Sequence, residues 1–315
     1  MFASSFRQTH RFHLLQCLVF LALLVAVFAA LSPFFLSTAN FNNILTANAV
    51  IGLIAMGATF VIASGGIDLS SAAVMAFAAT VSASIIQNST LPPIAAIVLA
   101  ISTGGACGLL TGFLINITRA PSFIVTLGMM SVARAAAYIV SHGMPIYGLP
   151  ERITTAGQGA VMGLSAPVLF LLLGVAAAWF LLAHTRFGAH TLIFGDNAFA
   201  AAASGIGLDR LRLKIYGLAG LYSGLAGFIF MARTNSGDPS AGQSYELIGI
   251  TAVILGGANL FGGRATIFGT LLGVLCLGVL QNGLNLLAVS TYYQILFVGM
   301  VLLAAAFLSR VGQRL

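Results

Sequence analysis

The side chains able to do chemistry are few, and their spacing matches no common active site. His184 and His190 flank a turn, but no carboxylate or cysteine stands at a spacing that would complete a metal site beside them. The only lysine, Lys214, lies outside any GxxxxGK[ST] pattern that would cradle a phosphate. No serine–histidine–acid or paired-carboxylate arrangement stands out in the apolar segments. The sequence therefore predicts that the chain is not an enzyme and holds neither metal nor cofactor. If ATP drives this protein, another chain must hydrolyse it.

Three ionisable residues lie in or beside apolar segments, where secondary transporters keep the groups that bind coupling ions or relay protons. Arg134 falls inside one such segment, and Asp68 and Glu246 lie at the ends of two others. Asp68 follows the pair Gly65-Gly66, and we expect it to cap the helix that starts after it. Arg134 either extends toward the membrane surface or pairs within the protein. An ion-coupled carrier stays an alternative, with few residues to support it.

The composition places the protein in a lipid bilayer. Of its 315 residues, 59% are hydrophobic and only 6% are charged, whereas a soluble domain carries about 25% charged residues. The mean hydropathy is +1.06 and the pI is near 9.8. These values argue against a soluble enzyme, a nucleic-acid-binding protein and a secreted scaffold. Cys17, Cys107 and Cys276 stand singly in apolar runs and are predicted to be small core residues.

The elements that position these residues are predicted to be membrane-spanning helices, each of about 20 mostly apolar residues. The chain, 1–315, is predicted to be a single all-α, polytopic domain of about ten spans. Its first span is an uncleaved helix rather than a signal peptide. The predicted spans are residues 14–37, 44–64, 71–88, 93–115, 122–141, 166–184, 215–232, 246–261, 266–288 and 291–309.

The basic residues predict the orientation of these spans. Ten spans place both termini on one side, and with that side inside, only Arg152 and Arg233 face outward. The opposite orientation would violate the bias of cytoplasmic loops toward Lys and Arg. The residues predicted to face the cytoplasm are Arg7, Arg11, Arg119, Arg186, Arg210, Arg212, Lys214, Arg264, Arg310 and Arg314.

Glycines recur every three or four residues on three spans, which predicts close helix packing rather than a ligand site. They are Gly104, Gly108 and Gly112 on the fourth span, Gly220, Gly224 and Gly227 on the seventh, and Gly269 and Gly273 on the ninth.

The longest predicted cytoplasmic connection, residues 186–214, has the features of a surface for another protein. Gly195 precedes Asp196 and Asn197, which are good helix N-caps, and residues 198–203 then form a short alanine-rich helix carrying Phe199. Ser204-Gly205 ends it. Such a helix with one exposed aromatic side chain is typical of a helix-in-groove contact. The alternative, a helix lying on the membrane, fits less well because its polar face has few basic residues.

Four stretches of the chain resemble the permease subunits of bacterial ABC importers of the ribose/xylose/arabinose/galactose group. The similarity extends from Asn40 to Leu308, and the tail is most similar to the ribose members. The stretches are the pattern Gly-x-Asn-x-x-Ala-x-x-x-Ser-Gly-Ile at residues 195–206, the run 64–70 with Gly65, Gly66, Asp68 and Ser70, the runs 245–247, 253–257 and 261–264, and the tail 282–294.

The resemblance implies a monosaccharide permease in the bacterial inner membrane. A second copy or a similar permease, ATPase subunits and an extracytoplasmic sugar-binding protein would be its partners. A permease for another small solute, such as branched-chain amino acids, is the alternative. The implied ATPase-coupling helix comprises Gly195, Asp196, Asn197, Phe199, Ala201, Ser204, Gly205 and Ile206.

Two further sets of residues are expected to serve transport. Arg152 and Arg233 are candidates to pair with acidic residues of the binding protein, although solvated loop charges explain them equally well. The candidates to contact a passing sugar, for which packing is an equal explanation, are Thr126, Ser131, Asn282, Asn285 and Gln294.

Overall fold

The computed structural model describes residues 2–161 and 163–311, which are predominantly helical. Of the arginines predicted to face the cytoplasm, Arg314 and the side chains of Arg7, Arg11 and Arg310 lie outside the described residues. The helices are α1 Phe2–Leu31, α2 Thr38–Ala63, α3 Ser71–Ile86, α4 Pro93–Thr118, α5 Ser122–Val140, α6 Glu151–Gln158, α7 Ala166–His184, α8 Arg186–Asp196, α9 Ala198–Ala203, α10 Leu208–Thr234, α11 Tyr245–Leu255, α12 Ile267–Leu286 and α13 Thr291–Val311.

The sheet structure in the described residues is limited to two small antiparallel pairs. Strand β1 (Ile146–Tyr147) pairs with β4 (Ser236–Gly237), and β2 (Ala160–Val161) pairs with β3 (Leu164–Ser165). The first pair joins distant parts of the chain at the end of the bundle where α10 finishes.

Seven helices are long and apolar enough to cross a membrane: α1 from Leu14, α2, α4, α5, α7, α10 and α12. Three further apolar helices are shorter within the described residues: Ser71–Ile86, Tyr245–Leu255 and Thr291–Ala304. A helical, polytopic membrane protein is thereby confirmed, and the number of ten spans stays a prediction.

Helices α2 and α10 form the centre of the bundle. In their most apolar stretches 83% and 78% of the residues are buried, against 22% in α5. Phe60 of α2 and Phe228 of α10 are fully buried in the largest hydrophobic cluster. The outer helices instead present leucine, isoleucine and phenylalanine outward, as lipid-facing helices do.

The prediction of one span over residues 246–261 is wrong. Helix α11 ends at Leu255, and its 11 residues extend only about 16 Å, roughly half of a bilayer core. Gly257, Gly262 and Gly263 follow with φ of +88°, +94° and +79°, a region that a right-handed helix cannot use. The apolar run is therefore a half-length helix followed by a glycine-rich loop.

The boundaries around the predicted cytoplasmic connection also need correction. Helix α10 begins at Leu208 instead of residue 215, so Arg210, Arg212 and Lys214 lie in its first two turns rather than in a loop. Residues 186–196 form α8, which the sequence reading does not predict. The hydroxyl of Thr185 caps α8 by accepting from Gly188 N at 3.3 Å.

The glycine stripes pack helices together, as predicted. A Cβ on Gly104 would lie 2.6 Å from Gly224 N, and one on Gly220 would lie 2.9 Å from Gly108 Cα. These glycines therefore allow α4 and α10 to touch backbone to backbone. Gly227 departs from the stripe and packs against α3, and Gly269 and Gly273 pack against the last turn of α11 and Gly256, the residue after it.

The cysteines are buried or half-buried, which confirms their interpretation as core residues. The sequence does not predict that two of them meet. Helices α1 and α12 bring Cys17 Sγ and Cys276 Sγ to 3.7 Å, and both residues are almost completely buried.

Candidate functional site

The predicted helix over residues 198–203 is present as α9 with the predicted caps. Asn197 caps its start, because the side-chain oxygen accepts from Ala200 N at 2.9 Å. At its end Gly205 adopts φ +80°, Gly205 N donates to Ala202 O at 3.0 Å and Ile206 N donates to Ala201 O at 3.1 Å. This pair of bonds is the Schellman arrangement. The six-residue helix is thus closed at both ends by local hydrogen bonds.

The side chains of α9 divide sharply between buried and exposed. Ala201 is fully buried and holds the helix against the bundle, whereas Phe199 is 84% exposed. An exposed aromatic ring forgoes the roughly 1.5–3 kcal/mol that burial of such a side chain contributes. Phe199 is therefore an available anchor for a partner surface.

Helix α8 connects α9 rigidly to the bundle. The rings of Phe187 and Phe60 stack with centroids 5.7 Å apart, which ties the start of α8 to α2. Near the other end, the Arg212 guanidinium of α10 lies 5.4 Å from the centroid of Phe194. These two contacts join α8 to both α2 and α10.

The end of α8 packs into a contact of four glycines, Gly65, Gly195, Gly262 and Gly263, which we call the glycine junction. A Cβ on Gly195 would overlap Ala63 O and lie 2.6 Å from Gly263 N. A Cβ on Gly262 would lie 2.7 Å from Gly195 O and 2.8 Å from Gly65 N. The Gly263 N–H donates to Ala63 O at 3.0 Å. The junction therefore joins the ends of α2 and α8 to the loop before α12.

Asp68 lies in the loop between α2 and α3, next to the junction, and does not cap α3 as expected. Its carboxylate accepts from Ser70 N at 2.8 Å and from the Ser70 hydroxyl at 2.6 Å, whereas Ser70 itself occupies the N-cap position. Burial raises the pKa of the Asp68 carboxyl above its ordinary value, despite the hydrogen bonds from Ser70. Asp68 therefore shapes the loop that carries Gly65 and Gly66.

A polar cluster joins α4 and α10 at the same end of the bundle. Arg119 donates to both carboxylate oxygens of Asp209, at 2.7 and 3.0 Å. Arg212 donates to Asn116 at 2.6 Å and to Asp209 at 3.3 Å. Arg152 and Arg233 belong to α6 and the far end of α10, so they lie at the opposite end of α10 from Arg119 and Arg212.

Arg134 binds the backbone of a non-helical segment, residues 235–244, that separates α10 from α11. The segment runs along α3, because Gly237 packs against Ala83 and Gly242 packs against Met75. Arg134 Nη1 donates to Pro239 O at 2.7 Å and to Ala241 O at 2.9 Å. Non-helical backbone within a membrane is tolerated only where its polar groups are satisfied by protein or water. Arg134 therefore supplies the hydrogen-bond donor for two carbonyl groups of this segment.

We predict that Arg134→Met destabilises the protein by about 1–3 kcal/mol, since two buried carbonyl groups would lose their donor. Unfolding of the reconstituted protein by increasing SDS measures this loss. Ser131→Ala on the same helix is the control, because Ser131 is exposed and its hydroxyl donates to Leu127 O of its own helix. Equal unfolding midpoints for both variants would contradict the role of Arg134.

The residues expected to contact a sugar mostly have protein partners. Thr126 is buried and its hydroxyl lies 3.2 Å from Ile67 O and Phe123 O. Asn282 exchanges amide hydrogen bonds with Asn40, at 2.9 and 2.8 Å. Asn285 accepts from Gln294 at 2.8 Å. In the part of the chain described, no hydrogen bond joins the residues of α5 to those of α12, so a pathway formed by them stays a prediction.

The two arginines expected to meet a binding protein also contact the backbone. Arg152 donates to Ser89 O, and Arg233 Nη1 donates to Thr46 O at 2.9 Å. Arg152 is exposed and Arg233 is half-buried. Across the described ranges no group of three or more His, Cys, Asp or Glu is placed to hold a metal ion.

A bundle of apolar helices with an interrupted span and a short exposed helix fixed at one end defines a multi-pass membrane protein of the transporter type. A family model described as the permease component of the branched-chain amino acid transport system matches residues 40–306. The chain belongs to this permease family. No solved structure matches it.

The relatives of the chain are permeases as well. The ribose import permease protein of Bacillus subtilis (strain 168) is 44% identical over 292 residues, which are 92% of this chain and 90% of the relative. The ribose import permease protein of Escherichia coli (strain K12) is 39% identical, over 92% and 91% of the two chains. The L-arabinose ABC transporter permease protein of Azospirillum brasilense is 40% identical, over 89% and 84%.

Proposed function

We propose that the chain is the transmembrane subunit of an ATP-binding-cassette importer and forms the passage for a monosaccharide, ribose or a similar sugar, across a bacterial inner membrane. The names of its relatives, which specify ribose and L-arabinose, support a sugar over a branched-chain amino acid. The observation that carries the proposal is Phe199, an exposed aromatic anchor on α9, directly after the end of α8 that packs at the glycine junction.

In this proposal the chain hydrolyses no ATP itself. ATPase subunits would hold α9 in a groove, and their closure would displace α8 and, through the glycine junction, α2 and the loop before α12. This mechanism needs two arrangements of the bundle that ATP binding and sugar release favour differently. A second copy or a similar permease would complete the passage.

The same proposal fixes the topology and the outer partner. The chain would cross the membrane ten times with both termini in the cytoplasm. The crossings would be the seven long helices, α3, α13, and one crossing made by the non-helical segment 235–244 together with the half-length helix α11. The end that carries α9 would then face the ATPase. Arg152 and Arg233, at the opposite end, would meet acidic residues of a sugar-loaded binding protein.

Uptake by proteoliposomes tests the proposal. The chain is reconstituted with the ATPase and binding protein of its own organism, with ATP enclosed on the ATPase side. We expect ATP-dependent accumulation of labelled ribose that excess unlabelled sugar blocks and excess leucine does not. Competition by leucine would instead favour an amino-acid permease. Uptake that persists without the ATPase and collapses with a protonophore would establish an ion-coupled carrier.

A further inference from the structure

An apolar groove of about 340 Å³ opens on the side of the bundle between α4, the α7–α8 corner and α10. Two glycines form its floor. A Cβ on Gly217 would lie 2.9 Å from Leu109 Cδ2, and one on Gly105 would lie 2.7 Å from Leu221 Cδ2. Phe187 of α8 lines the groove beside these leucines. Side chains at these two positions would therefore clash with the leucines that line the groove.

The groove ends at the chain's single lysine. Lys214 lines it and is exposed, and Arg210 lies one helical turn earlier on the same face of α10. The nearest carboxylate in sequence, Asp209, already pairs with Arg119 and Arg212. Among the described residues neither Lys214 nor Arg210 has an ion-pair partner. Two cations are therefore free to bind an anion beside an apolar groove.

We propose that this groove binds one anionic phospholipid of the leaflet on the α9 side, with its phosphate at Lys214 and Arg210 and an acyl chain along the groove. The order of cationic and apolar residues along α10 supports a phospholipid as the ligand. Residues 210, 214, 217, 218 and 221 lie on one face of α10, so the face changes from cationic to apolar toward the middle of the helix. A glycerophospholipid has the complementary order, an anionic head followed by an apolar tail.

The surroundings of the groove favour lipid as the occupant. Leu110 and Phe113 on α4 and Leu173 and Phe180 on α7 project outward with exposed fractions of 48–68%, as residues do that face acyl chains. Basic side chains close to a membrane surface attract anionic lipid headgroups. Because Phe187 also stacks on Phe60, a bound lipid would brace α8 against α10.

Lipid retention tests the proposal without depending on the transported substrate. The purified chain is incubated with equal amounts of phosphatidylglycerol and phosphatidylcholine of identical acyl chains, and bound lipid is counted by native mass spectrometry. We expect preferential retention of phosphatidylglycerol and about a fivefold loss of that preference in Lys214→Gln, with a larger loss when Arg210→Gln is added. Lys214→Arg should keep the preference, because the charge remains.

Two controls separate this site from general attraction to the cationic end of the protein. Arg264→Gln removes a charge near the glycine junction and outside the groove, and should leave the preference unchanged. Glycerol 3-phosphate offers the headgroup charge without a tail, and should not raise the melting temperature as phosphatidylglycerol does. Equal retention of the two lipids, an unaffected Lys214→Gln variant, or stabilisation by glycerol 3-phosphate alone would overturn the proposal.

Discussion

Gly195→Ala is expected to reduce ATP-driven uptake at least tenfold while the chain still inserts into the membrane. The added Cβ would overlap Ala63 O and lie 2.6 Å from Gly263 N, the two groups joined by the hydrogen bond across the glycine junction. Both are backbone atoms, so no change of rotamer relieves the clash. Overpacking of this kind costs about 1–3 kcal/mol, and here it separates α8 from α2.

Gly207→Ala is the matched control for this variant. Gly207 lies in the same connection, has φ −73°, and a Cβ built on it would meet no atom within 4 Å. Transport and thermal unfolding of the two variants are measured side by side in proteoliposomes. Wild-type uptake by Gly195→Ala, or an equal loss in Gly207→Ala, would show that the junction does not transmit coupling.

Phe199→Asp is expected to weaken association with the ATPase subunits strongly without destabilising the chain. Because the Phe199 side chain is 84% exposed, its replacement removes little packing, and unfolding should shift by no more than about 0.5 kcal/mol. An aromatic anchor buried in an interface contributes about 2–4 kcal/mol. A charge in the same groove adds a desolvation cost, so the affinity should fall by at least about 30-fold.

Co-purification and sugar-stimulated ATP hydrolysis measure the effect of Phe199→Asp. Phe199→Leu is the conservative partner variant and should keep most of both, because an apolar side chain still fills the groove. Normal recovery of the ATPase with Phe199→Asp would place the contact elsewhere. Loss of both signals together with loss of membrane insertion would show that Phe199 acts in folding.

The sequence predicts α9 because its determinants are local. Asn197 and Gly205 lie directly beside the alanine run, and their preferences for the N-cap and for positive φ need no distant contact. The glycine stripe of α4 is predictable for a similar reason, since a spacing of four residues keeps Gly104 and Gly108 on one helical face. Neither feature indicates which protein α9 contacts or which helix packs against the glycines of α4.

Features that depend on contacts between distant parts of the chain could not be predicted from the sequence. Nothing local indicates that Gly65, Gly195 and Gly262 meet. Gly195 lies in α8, the other two lie in loops, and more than sixty residues separate each glycine from the next. The early end of α11 is hidden by an apolar run that continues beyond Gly256. The sequence predicts a loop instead of α8 because it contains Gly188 and Gly195. In the structure both glycines lie inside the helix, at positions where backbone atoms of other residues approach too closely for a side chain.

The contact between α4 and α10 sets a condition on how the protein is made. Gly112 and Gly224 are separated by more than one hundred residues, which a ribosome adds in roughly 5–20 s. Throughout that time α4 must remain in lipid with its contact face uncovered. The glycines of that face expose no polar side chain, and Asn116 lies in the last turn of α4, so α4 can remain stable in lipid until α10 is synthesised and covers it.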